Sequence, residues 1–199
     1  MFFKEKLTYK PLETYEKTFS SFELEDVDKY FKWYQEQIPI RVEYLSTKSW
    51  CDLDYSFESL IKLWRWFIKV AHIEKIPDKK KKELVKDRDM NLNYIQTYEN
   101  MQLSIDTEYI ISDIAMYVGE VFTKHSNKIT WGYHTDKKKD SFYNMPILLG
   151  FEDVTFTPSF KMIFEPNHMV HVQAENLLDK TACERDLYDM CMIWKGYIN

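Results

Sequence analysis

The sequence predicts an α+β fold in one domain over residues 1–199, with about four to six helices packed on a small, mostly antiparallel sheet. Three observations carry that expectation. Long segments repeat apolar residues at helical spacing, short segments alternate apolar and polar residues, and the two kinds interleave without a regular βαβ rhythm. Hydrophobic residues make up 45% of the chain and aromatics 17%, enough to fill a core at this length.

In chain order, residues 1–20 lack a clean period and read as an N-terminal arm packed through aromatics. Ser20 and Glu23 match a capping box. Leu24, Val27, Tyr30, Phe31, Tyr34 and Ile38 follow at helical spacing, and Pro39 is expected to stop this helix near Gln37. Ile40, Val42 and Tyr44 alternate with Arg41 and Glu43, as a half-buried strand would.

A second helix is expected after Ser56, with Tyr55 and Leu60 as its staple. Its apolar stripe is Leu60, Ile61, Trp64, Phe67, Ile68 and Ala71. Residues 75–103 read as a polar connector, in which the lysines at 79–82 are balanced by the acids that follow.

Residues 104–151 form the central unit: a helix capped by Ser104 and reaching about Lys124, a strand, a lysine-rich loop and a second strand. Val154 to Phe156 suggests a further short strand. Pro166 suits the first position of a helix over about 167–178, although Val170 to Val172 would also suit a strand. Thr181 and Glu184 form a capping box before a last helix, with Leu187, Met190, Cys191, Trp194 and Ile198 on one face.

Several chemistries are excluded by motif. The four glycines are too scattered for GxGxxG or a Walker loop, and GxSxG, HExxH and CxxC are absent. No cofactor and no metal is implied. A net charge of −5 points away from non-specific nucleic-acid binding. Lys4, Glu5 and Lys6 break the apolar start and no long apolar run follows, so neither a secretory segment nor a membrane span is expected. Three cysteines suit a reducing cytoplasm, and Cys183 and Cys191 read as small core residues.

The candidate chemistry lies on the central helix. Asp113 and Glu120 are seven residues apart and so share a face, with Tyr109 and Tyr117 beside them. In a cleft they would suit acid–base work, with His134 as a proton shuttle. Alternatively, they accept hydrogen bonds from the hairpin that follows and fasten helix to strand. Gly119, costly in a helix interior, suggests a close approach by another backbone. Tyr117, Trp131, Tyr133, Lys137 and Lys138 are the candidate binding residues. His168 and His171 would share a face on a helix but not on a strand, and no acid ligand follows at a diagnostic spacing.

The run DIAMYVGEVF, then WGYHTDKKKDS and N-x-P-I-L-L-G-F, resembles a group of small uncharacterised proteins of Bacillus-like bacteria. The earlier DYSFESLIKLWRWF is similar to the segment before that core, so the resemblance covers roughly residues 52 to 151. It implies kinship and no catalytic residues. In size and acidity such proteins are similar to cytoplasmic immunity proteins that neutralise toxins. The expected function is therefore cytoplasmic binding of another macromolecule, a protein partner foremost, with toxin neutralisation of that immunity type as the specific case. The alternative is a small-molecule binder or hydrolase-like enzyme using Asp113 and Glu120.

Overall fold

The computed structural model describes residues 9–12, 22–78, 100–135 and 142–199. Among them are five helices and two small antiparallel sheets, an α+β architecture. The capping serine at position 20, the lysines at 79–82 and both Lys137 and Lys138 lie outside the described residues.

Helix α1 spans Leu24–Ser49 and continues through Pro39. Proline deletes one backbone hydrogen bond and costs about 3 kcal/mol in a helix interior, yet burial outweighs it here. Val27, Tyr30, Tyr34, Ile38, Arg41, Val42, Leu45 and Ser49 make one buried stripe at three- and four-residue spacing across the proline. The strand expected at Ile40 to Tyr44 is therefore helix: Ile40 faces solvent and Arg41 faces inward. The start is set by Asp26, whose carboxylate accepts the Glu23 N–H at 3.2 Å.

Helix α2 (Ser59–Val70) begins where Ser56 Oγ accepts the Ser59 N–H at 3.2 Å. It buries Leu60, Leu63, Trp64 and Phe67. Strands β1 (Ile73–Lys75) and β2 (Met101–Leu103) pair antiparallel, so the ends of the expected polar connector are joined as a ribbon.

Helix α3 (Ile105–His125) is the centre of the molecule. Ser104 caps it by accepting the Thr107 N–H, and nearly every position from Ile110 to Phe122 is buried. It packs against α1, against β3 (Thr130–Tyr133) and against α4 (Pro166–Glu175). Beyond it lies a sheet in the order β3, β4 (Pro146–Asp153), β5 (Phe160–Phe164). Its register pairs Trp131 with Leu148 and Leu148 with Phe164, then slips before Phe151. Gly150 sits in that slip with φ +106°, and a Cβ there would lie 2.1 Å from the Lys128 carbonyl oxygen.

Val154 to Phe156 is an exposed turn between β4 and β5 rather than a strand, because β4 already pairs through Asp153. The ambiguity at 166–178 resolves as helix, ending at Glu175. The last helix, α5 (Asp186–Lys195), starts later than the Thr181–Glu184 box implied. Asp186 accepts the Cys183 N–H at 2.8 Å, while Glu184 pairs with Arg65 of α2 at 2.6 Å. Cys191 is core, whereas Cys183 is exposed: its backbone, not its thiol, serves the turn. No helix among the described residues is long and apolar enough to cross a membrane.

Candidate functional site

Asp113 is sealed inside the protein. Arg41 of α1 donates Nε to Oδ1 at 2.8 Å and Nη2 to Oδ2 at 2.7 Å, and the Tyr9 hydroxyl donates to Oδ2 at 2.5 Å. Arg41 also donates to the Lys10 carbonyl at 2.8 Å and lies 4.7 Å from the Tyr44 ring centroid. Burial pushes the Asp113 pKa up, against the pull of these hydrogen bonds and of the Arg41 charge. Burial works to lower the Arg41 pKa, but its bonds to Asp113 and that residue's charge outweigh this and hold it above its ordinary value.

Glu120 has a separate partner, Trp131, whose Nε1 donates to it at 2.9 Å. The Trp131 indole lies directly over Gly119, where a Cβ would fall 1.9 Å from Cζ2. What approaches the glycine is therefore a side chain, not the backbone expected. The two carboxylates share a helix face but fasten α3 to different neighbours: Asp113 to α1 and the residues before it, Glu120 to β3.

The other candidates are also engaged. The Tyr117 hydroxyl accepts the Tyr55 N–H at 2.9 Å and shares a 2.6 Å hydrogen bond with Ser59 Oγ; burial, the largest influence, raises its pKa to about 12. The Tyr133 hydroxyl donates to Asp28 of α1, and its ring meets Phe31 edge-on. His134 follows the last residue of β3, and its carbonyl accepts the Asn144 N–H at 2.7 Å.

The cavity of interest lies on another side of α3. It holds ≈ 570 Å³, within the range of small-molecule sites. Tyr30 and Tyr34 of α1 and Glu165 form its buried polar floor. Met116 of α3 and the hairpin residues Met145 and Pro146 give it an apolar wall. Phe142 and His168 face each other at its rim, ring centroids 5.4 Å apart.

Glu165 is placed there by local sequence. It follows the last residue of β5 and precedes Pro166, which opens α4, so it is the helix N-cap. Its carboxylate accepts the Asn167 N–H at 3.1 Å and the His168 N–H as well. Burial raises its pKa, against the lowering by those two backbone donors. Burial also raises both tyrosines, and the Glu165 charge adds to that shift in each.

His168 and His171 both lie on α4 and both line the cavity. His171 Nε2 sits 3.2 Å from Glu108 of α3, and Nδ1 sits 3.8 Å from Glu175. Among the described residues no group of three or more His, Cys, Asp or Glu is disposed to hold a metal ion.

Sequence reasoning missed Glu165, Tyr30 and Tyr34 as a site. The available signals were a lone acid between an apolar strand and a helix-opening proline, and two tyrosines four residues apart on the buried stripe. Comparison with protein-family models, with curated proteins and with solved structures finds no match.

Proposed function

We propose that this protein binds a small molecule in the cleft bounded by α1, α3, the start of α4 and the segment leading into β4. The observation that carries this reading is the ≈ 570 Å³ cavity with a buried carboxylate and two buried tyrosines at its floor. Polar groups on an apolar background, fixed by rigid elements, suit selective capture of a ligand. The reading keeps the small-molecule alternative and moves it from Asp113 and Glu120 to Glu165 and its neighbours. Three free cysteines support a reducing, cytoplasmic setting for it.

Binding of a protein partner, toxin neutralisation included, draws its support from the abundance of tyrosine and tryptophan. Several of those rings are committed to internal packing: Trp64 and Tyr117 are buried, and Trp131 covers Gly119. The cleft is the better-supported site.

The test is a fragment screen by NMR on the wild type and on Ser112→Phe, which places a ring in the cleft from the side of α3. Fragments that shift resonances of Met116, Met145 and Glu165, and that lose affinity at least tenfold in the variant, are expected. Hits that map elsewhere, or that ignore the substitution, would overturn the reading.

A further inference from the structure

The charge and aromatic character of the cleft narrow the class of ligand. Among the described residues, no lysine or arginine lines it. The start of α4, which would otherwise attract an anion through its free N–H groups, is already occupied. Glu165 takes the Asn167 and His168 N–H groups on its carboxylate and the Met169 N–H on its carbonyl at 3.1 Å.

Further negative charge stands beside the cavity. Glu108 and Glu175 flank the two ring nitrogens of His171, so any charge on that imidazole is countered locally. His168 is exposed at the rim, where solvent and salt screen it. Glu165 is buried and uses one acceptor contact per oxygen, which leaves lone pairs for another donor. Tyr30 and Tyr34, 6.2 Å apart between ring centroids, and Phe142 add aromatic surfaces of the kind that attract cations.

We propose that the ligand of this cleft is an organic cation, an ammonium group on an apolar body, held by the Glu165 carboxylate among the rings of Tyr30, Tyr34 and Phe142. The apolar body packs on Met116, Met145 and Pro146. This inference rests on the small-molecule reading above.

The experiment compares three probes with one apolar body, 4-phenylbutylamine, 4-phenylbutanol and 4-phenylbutanoate, by calorimetric titration at about pH 7.5, where the amine is charged and the acid ionised. The proteins are the full chain and its Glu165→Asn variant, which removes the charge and keeps a favoured N-cap residue. The amine is expected to bind at least tenfold more tightly than the alcohol, with the carboxylate weakest. In Glu165→Asn the amine is expected to lose its advantage and fall to the level of the alcohol.

Equal binding of amine and alcohol, or an amine preference untouched by Glu165→Asn, would overturn the cation assignment and leave the cleft as a site. If none of the three binds, the small-molecule reading falls, and this inference falls with it. Should the variant not fold, the ranking on the wild type decides.

Discussion

Arg41 of α1 grips Asp113 of α3 through two guanidinium nitrogens, at 2.8 and 2.7 Å, with Asp113 wholly out of contact with solvent. One ion pair thus joins the longest helix to the central one, 72 residues apart in the chain. Replacing both partners with apolar groups of similar volume costs little, whereas removing one strands a buried charge.

Arg41→Met is therefore expected to lower unfolding free energy by about 3–5 kcal/mol. The double variant Arg41→Met with Asp113→Leu should recover much of that loss. Urea denaturation of the single and double variants measures both. A single-variant loss below about 1 kcal/mol, the range of exposed pairs, would contradict the burial of this contact.

Gly119 and Trp131 form the second fastening. Helix propensity alone favours alanine at 119 by about 1 kcal/mol. The added methyl collides with the indole, and overpacking costs about 1–3 kcal/mol. Displacing the ring also breaks its 2.9 Å bond to Glu120. Gly119→Ala is expected to destabilise the wild type and to become neutral or stabilising beside Trp131→Leu, as thermal unfolding of the four proteins would reveal.

The raised pKa of Glu165 has a pH signature. Burial lifts it above its ordinary 4.5, so between 4.5 and the folded value the native state holds more proton than the unfolded state. Stability from this group therefore falls as pH rises through that window and is flat above it. Glu165→Gln lacks the titration, so its stability relative to wild type should climb with pH above 4.5. Glu175, also raised by burial, is common to both proteins and cancels to first order. A stability difference that moves the other way across pH 4–7 would refute the assignment.

Cysteine reactivity separates the three thiols. Cys191 is buried, and burial pushes its pKa well up, so little thiolate forms at neutral pH. Cys183 is exposed and Cys51 intermediate. Titration with a thiol reagent should label Cys183 first and reach Cys191 only on denaturation. Early labelling of Cys191 in the native protein would contradict its placement.

The sequence by itself determined the α+β class, the central helix from Ser104 and, on the last helix, the buried face of Leu187, Met190 and Cys191, whereas Ile198 lies beyond its end. Those features rest on local periodicity and caps, which short-range sterics and burial enforce. It also placed Asp113 and Glu120 on one face, since helical geometry alone requires that. Tertiary structure decided the rest. Pro39 and the Ile40–Tyr44 alternation indicated a break and a strand, and only packing against α3 keeps α1 helical through them. Arg41 read as the solvent side of that strand, and its partner lies too far along the chain for any local pattern to find. The cleft around Glu165 is likewise a product of distance: its floor joins residues 30 and 34 to 165, which meet because α1 and α4 both pack on α3. Periodicity reports which face of an element is buried; what that face meets is set by long-range packing.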